Sequence, residues 1–387
     1  MRDLAAAVAL AVASLLALAP GAARAAPPEG EYKDLFKDEI QVKGARAPLA
    51  GVEVTSESFE KVEWKTKAGA PSSRPVEEVL SITYADTPTY FKNGMESFKA
   101  GRWAEAADLF RVVPESLKGG KTRKFWEARG LAWFAESLRR QAAAEKNPAL
   151  YLKSAETFAD ALKKDPKSPI LPMVYEGMAD ALAGGGNGAG ALKSLDEYRT
   201  LAGGVKRSVW EASSSLLRAR ILERQGDLPA AANEYAALAA LAANRAPSSP
   251  PDSADRAALE RMKAAGFVGR AWALYARAEK TKSPADLDAA KACFEALSRD
   301  TAGSVAGKAA ALNGQGALLL AQGKAWEALQ KVAEVEVTMY AAPEEVARAL
   351  WLKAQAYGKL GNNAGRDAAL KDLVEYHPSS EWAARAR

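Results

Sequence analysis

Along most of the chain, apolar positions recur at offsets of four and then three, beginning with a small residue and followed by two large ones. The triplets are Ala106/Phe110/Val113, Ser154/Phe158/Ala161, Ala191/Leu195/Tyr198, Ala231/Tyr235/Leu238, Ala290/Phe294/Leu297 and Ala328/Val332/Val335, with Arg366/Leu370/Leu373 as a degenerate last copy. These offsets put each triplet on one face of an α-helix, with the small residue where a neighbouring helix must come close. Each triplet follows a short turn and an earlier helix that carries a large residue and then a Gly or Ala four positions on. Tyr90 with Gly94, Trp126 with Gly130, Tyr175 with Ala179, Trp272 with Ala276, Leu312 with Gly316 and Leu350 with Ala354 are these pairs. A helix pair repeated in this way buries its apolar face only by stacking on the next pair.

Ahead of the first pair the period changes from helical to alternating. Glu39 to Val42, Gly51 to Thr55, Phe59 to Thr66 and Val76 to Tyr84 read as strands, with turns at Gly44 to Pro48, Ser56 to Ser58 and Ala68 to Arg74. Val52 and Val54, Val62 and Trp64, and Val79 with Ile82 supply their apolar faces. Strands this short bury a core by curling into a small barrel. Tyr84-Ala85-Asp86-Thr87-Pro88 then leads directly into the first helix, which predicts Thr87 or Asp86 as its cap and Pro88 in its first turn.

The turns inside the helix pairs are often led by glycine, at Gly101, Gly226, Gly323 and Gly361, and Asp165-Pro166 and His377-Pro378 close two of the second helices. On these residues the segment from about Thr87 to the C-terminus resembles the tetratricopeptide repeat. The copies are spaced 37 to 59 residues apart, against a family period of about 34, with the largest excesses around Gln141 to Leu150 and Asn244 to Ser253. The run from Asp38 to Gly44 followed by Gly51 to Val54 is similar to the opening hairpin of Sm-like and SH3-like barrels. The expected fold is mainly α, an α-solenoid of about seven tetratricopeptide-like helix pairs preceded by a small β-barrel-like domain. The expected divisions are 1–25, a signal peptide, 26–86, a small β-rich domain, and 87–387, the helical array.

The signal-peptide reading rests on the Ala, Leu and Val run from Leu4 to Ala19 behind Arg2, ending in Ala23-Arg24-Ala25, which predicts a mature chain starting near Ala26. About 16 apolar residues is short of the roughly 20 that span a bilayer, and no cysteine follows the run to carry a lipid. The expected location is periplasmic or secreted, with no integral membrane segment after cleavage. The single cysteine, Cys293, forms no intrachain disulfide. The net charge is +5 over 387 residues, or +4 without Arg2, Asp3 and Arg24, too mild to point to nucleic acid.

Catalysis needs convergent groups, and the sequence offers few. His377, the only histidine, sits in a terminal turn beside Pro378 with no nucleophile spaced to partner it. Zinc normally takes several His or Cys ligands. Cys293 reads as helix packing. Gly184 to Gly190 is glycine-rich and enters a helix, yet lacks the Lys-Ser or Lys-Thr and the preceding strand of a phosphate loop. Glu344 and Glu345 open a helix at Pro343, where acidic residues suit the positive end of the dipole. The expectation is therefore no catalytic residues, no cofactor and no metal.

The resemblance implies a curved array whose concave side is lined by the first helix of each pair and binds protein or peptide. Helical offset places Phe91, Phe98, Arg220, Arg224 and Trp351 there, and Arg220 and Arg224, one turn apart, suit an acidic segment or a C-terminal carboxylate. The functional expectation is a non-catalytic interaction scaffold of the bacterial cell envelope. The alternative is a structural or self-associating envelope protein, able to hold glycan. The ending from Tyr376 to Ala383 looks like the last turn of repeats in periplasmic proteins of cell-division coordination and outer-membrane assembly. Partner, pathway and oligomeric state are not specified by any of these residues.

Overall fold

The computed structural model describes residues 37–117, 123, 125–299, 304–378 and 380–386. The expected signal peptide and its cleavage point, with the first residues of the β-rich segment, lie outside the described residues. Five strands come first: β1 (Asp38–Val42), β2 (Leu49–Glu57), β3 (Lys61–Thr66), β4 (Pro71–Pro75) and β5 (Val79–Thr83). Fifteen α-helices follow among the described residues. They are α1 (Thr89–Lys99), α2 (Trp103–Ser116), α3 (Phe125–Glu145), α4 (Pro148–Lys164), α5 (Leu171–Gly184), α6 (Gly188–Gly204), α7 (Ser208–Arg224) and α8 (Leu228–Arg245). The rest are α9 (Ala254–Thr281), α10 (Pro284–Arg299), α11 (Val305–Ala321), α12 (Ala325–Thr338), α13 (Pro343–Lys359), α14 (Asn363–Tyr376) and α15 (Glu381–Ala386). The chain forms two compact units that divide between Gly186 and Asn187.

The first unit holds the sheet and α1 to α5. The strands pair antiparallel in the order β4-β3-β2-β1-β5. The expected barrel is not closed by strand pairing among the described residues, because β4 and β5 are the two edges of this ladder. A 3₁₀ turn at Val76–Glu78 leads from one to the other, its Val76 N–H bonded to the Glu60 carbonyl while its Glu78 carbonyl accepts from Lys43 N–H. Irregular register at Asp38/Glu39, Gln41/Val42 and Val54/Ser56 adds the local twist that curls a small sheet. Two expectations are corrected here. β4 lies in the segment read as a turn, because all five of its residues are exposed and carry no apolar alternation. The run from Val76 to Tyr84 is a 3₁₀ turn followed by a strand, not one strand.

Ile40, Val52, Val54, Val62, Trp64 and Tyr84 form the core of the sheet, and Trp126 of α3 belongs to the same cluster. The helices of this unit therefore complete the hydrophobic core of the β domain. The entry to α1 differs from the expected cap. Pro88 occupies the cap position without a side-chain bond, Thr87 Oγ1 donates back to the Tyr84 carbonyl at 2.8 Å, and Asp86 is taken up elsewhere.

The predicted helix pairs are present. In the first six triplets every residue is buried, Phe110, Phe158, Tyr198 and Phe294 fully so, and each such large side chain contributes about 1.5–3 kcal/mol of burial. The polar Ser154 is tolerated at a small position because its Oγ donates to the Ala135 carbonyl at 2.7 Å. In the last copy Arg366 is exposed, and the buried stripe of α14 is instead Ala369 and Leu373. Opposite the large residues stand glycines whose missing Cβ makes the approach possible. A Cβ on Gly94 would sit 2.7 Å from the Phe110 ring, on Gly177 2.4 Å from Phe158, on Gly269 2.3 Å from Tyr235 and on Gly314 2.3 Å from Phe294.

Capping side chains begin several helices: Asn147, Asn187, Asp227, Ser253, Ser304 and Asn362 each accept a backbone N–H from the following turn. Gly226 and Gly323, at φ 80° and 79°, take the left-handed conformation that lets one helix stop and the next reverse. The first long interval in the repeat spacing is mostly helix, and the second combines a non-helical connection through Ser253 with a long helix. α3 runs through Gln141 to Glu145, and α9 extends over 28 residues after a 3₁₀ turn at Ala246–Ser248.

Candidate functional site

The first-helix side of the second unit carries polar groups drawn from several helices. Its helices α7, α9, α11 and α13 touch in sequence, α7 with α9, α9 with α11 and α11 with α13. The face begins at the end of α7, where Arg220 and Arg224 are exposed and Glu223 between them is largely buried. Glu223 accepts a hydrogen bond from the Tyr235 hydroxyl at 2.9 Å. Burial pushes the Glu223 carboxyl above the usual carboxylate range, and the Tyr235 bond and the Arg348 and Arg220 charges only partly offset that. The Tyr235 hydroxyl is raised in turn, first by burial and then by the Glu223 charge beside it.

The centre of the face is a four-residue cluster drawn from three helices. Asn313 of α11 donates through Nδ2 to Glu345 Oε2 of α13 at 2.9 Å and to the Glu345 carbonyl at 2.8 Å. Arg348 Nη1 donates to Glu345 Oε1 at 3.1 Å. The Arg348 guanidinium lies over the ring of Trp272 of α9, 3.9 Å from its centroid, and is 4.9 Å from the Trp382 ring of α15. Stacking of this kind attracts an arginine to the negative face of an indole. Three polar atoms of the cluster are buried with no partner among the described residues: Trp272 Nε1, Asn313 Oδ1 and Arg348 Nε. A buried polar atom left in this state costs about 1–3 kcal/mol. Arg348 also acts electrostatically on Glu223, as does Glu381 of α15.

Of the sequence-predicted site residues, Arg220, Arg224 and Trp351 lie in the second unit and Phe91 and Phe98 in the first. Arg220 and Arg224 lie on one exposed edge of this face. Trp351 is partly buried beside Val374 and Trp382, its ring 6.4 Å from that of Trp382. Phe91 and Phe98 belong to the first unit and are packing residues. Phe91 lies 5.4 Å from the Phe110 ring and 5.0 Å from Trp126, and Phe98 lies 4.9 Å from Trp103 and 5.0 Å from Trp133. Their helical offset, right for an inner face, also points them at the next helix.

Glu345, read from the sequence as an acidic residue suited to the start of a helix, is almost fully buried, while Glu344 beside it is exposed. Trp272, Asn313, Glu345 and Arg348 are spread over 77 positions, and the signal that links them is their place on successive first helices. His377 ends α14 as its C-terminal cap residue. Among the described residues no group of His, Cys, Asp and Glu is placed to hold a metal, and no helix is long and apolar enough to cross a membrane.

The first unit holds a second polar cluster, with a different character. Arg123 directs its guanidinium to Asp38 of β1 and to Asp86, both fully buried. Nε donates to Asp86 Oδ2 at 2.9 Å, Nη1 to Asp38 Oδ2 at 2.6 Å and the Val54 carbonyl at 3.1 Å, and Nη2 to Asp38 Oδ1 at 2.9 Å and Asp86 Oδ1 at 2.6 Å. All five N–H donors of the guanidinium are thereby used. Burial alone would lower its pKa, and the hydrogen bonds to the two aspartates outweigh that and raise it. Arg129 pairs with Glu57 at 2.6 Å alongside, and Tyr84 donates its hydroxyl to the same carboxylate. With every group partnered, this cluster is a fastening between sheet and helices.

No protein-family model matches the chain, and no curated protein matches it. Among solved structures, the chain is similar to a tetratricopeptide repeat protein from Parabacteroides merdae ATCC 43184, at 12% identity and a TM-score of 0.44, over 77% of this chain and 95% of that one.

Proposed function

We propose that the chain is an exported, non-catalytic interaction scaffold of the bacterial cell envelope, and that the first-helix face of its second unit takes an acidic protein segment. The observation that carries this reading is the exposed pair Arg220 and Arg224, one turn apart at the end of α7. The exposed Arg220 and Arg224 add positive charge at the edge of the same face, which favours a segment rich in Asp or Glu or ending in a carboxylate.

Export is supported by the apolar run that ends in Ala23-Arg24-Ala25. Intact-mass measurement of the exported species should give a chain starting at or near Ala26, and Met1 retained in that fraction would refute it.

The partner is tested by comparison, using the wild type and the Arg220→Glu/Arg224→Glu double variant to capture proteins from an envelope fraction. A protein recovered in stoichiometric amount by the wild type and lost from the variant supports the reading. Identical recovery by both moves the binding face elsewhere, and recovery of only the chain itself or of glycan would favour a structural role.

A further inference from the structure

A groove of about 500 Å³ lies between α9 and α10, within the roughly 300–1,000 Å³ typical of small-molecule sites. One wall is the stripe Phe267, Arg270 and Leu274 on α9, and the other is Ala289, Cys293 and Ala296 on α10. Leu297 also lines the groove, while Phe294 of the same helix is fully buried in the core. Phe267 is 42% exposed although its ring borders an otherwise apolar cleft. The single charge in the lining is Arg270, which is exposed and makes no ion pair among the described residues. Burial pushes the Cys293 thiol above its usual range, and the Arg270 charge offsets only part of that.

We propose that this groove binds a single-chain aliphatic carboxylate, with the hydrocarbon along Phe267, Leu274 and the alanines and the carboxylate on Arg270. The cleft offers one cation at the edge of an apolar trough, and a fatty-acid-like anion presents the complement. A peptide would require partners for its backbone, and none of the lining side chains other than Arg270 can donate a strong hydrogen bond. The site is independent of the partner-binding face.

Cys293 is the only cysteine of the chain, so its alkylation by N-ethylmaleimide, followed by intact mass on the full-length protein, reports on this groove alone. Dodecanoate below its micellar concentration should slow the reaction at least fivefold. Dodecanol at the same concentration should slow it less than twofold, and Arg270→Gln should abolish the difference. Over octanoate, decanoate and dodecanoate, affinity should rise by up to about fourfold per added methylene. Failure of dodecanoate to protect, or equal protection by dodecanol, overturns the proposal. Should the thiol resist alkylation in the free protein, calorimetric titration with dodecanoate makes the same comparison. Binding by the wild type that is lost in Arg270→Gln and in Ala292→Trp, with melting of both variants unchanged, supports it, whereas no binding by the wild type or equal binding by the variants overturns it.

Discussion

Replacing Arg123 by Met should be among the most damaging single changes in the first unit, although the residue lies in neither a strand nor a helix. The substitution keeps an unbranched chain of similar length and removes the guanidinium. Asp38 keeps its bonds from Val54 N–H at 2.8 Å and Ala85 N–H at 2.9 Å, and Asp86 keeps only weaker contacts, such as Trp126 Nε1 at 3.3 Å. Both carboxylates remain fully buried without a counter-charge. Removing one partner of a buried ion pair costs about 3–5 kcal/mol, most of it from the charge left behind. For a unit of this size each kcal/mol moves the melting midpoint by about 2–4 °C, so the first unit should melt roughly 6–20 °C lower.

The assay is thermal unfolding by circular dichroism and by tryptophan fluorescence, since Trp64 and Trp126 lie in the core that the fastening closes. Adding Asp86→Asn should recover part of the loss, because the second change removes one of the orphaned charges. A drop of less than about 3 °C, or a double variant as unstable as the two single losses added, would refute the reasoning that these charges depend on Arg123.

Three further outcomes follow from the helix contacts and titration. Gly314→Ala should destabilise by about 1–3 kcal/mol in urea unfolding, because its Cβ would fall 2.3 Å from the Phe294 ring. Gly203→Ala, with nothing within 4 Å of the new carbon, should be neutral or stabilise by up to about 1 kcal/mol, and equal effects at the two sites would show that close approach is not what requires Gly314. Glu223→Gln should be more stable than the wild type at pH 7. The native carboxyl is raised by burial, so the native state binds the proton more tightly than the unfolded chain, and stability falls as pH rises through the interval above the ordinary carboxylate value. The advantage of Gln should therefore close as pH is lowered below that value, and a pH-independent gap between the two proteins would contradict the assignment.

The helical array was readable because its packing follows a short period: every large residue of six triplets is buried where the offsets placed it. The last copy failed at Arg366 because the stripe slips by three residues to Ala369 and Leu373, and a lone charged residue gave no sign of the shift. The glycines at 177, 269 and 314 escaped notice because the pattern of large and small residues on the first helices also fits Ala179, Ala276 and Gly316, which lie on neighbouring faces. β4 escaped because an edge strand bounded by Pro71 and Pro75 has no buried side. Neither polar cluster had a local signature. Asp38 and Arg123 are 85 positions apart and meet only once the sheet sits on α3, and Trp272 and Arg348, on α9 and α13, meet only once the helices of the second unit pack. Arg220 and Arg224 were legible as an exposed pair because their one-turn spacing is itself periodic.

The most direct test of the proposed function is the affinity of the second-unit face for the segment of the partner that the comparative capture identifies, measured by calorimetry with the full-length protein. Wild type should bind, Arg220→Glu/Arg224→Glu should weaken binding by at least tenfold while helicity and melting stay nearly unchanged, since exposed charges contribute little to folding, and raising salt should weaken the wild type in the same direction. Undiminished binding by the double reversal, with the fold intact, would contradict the assignment of this face.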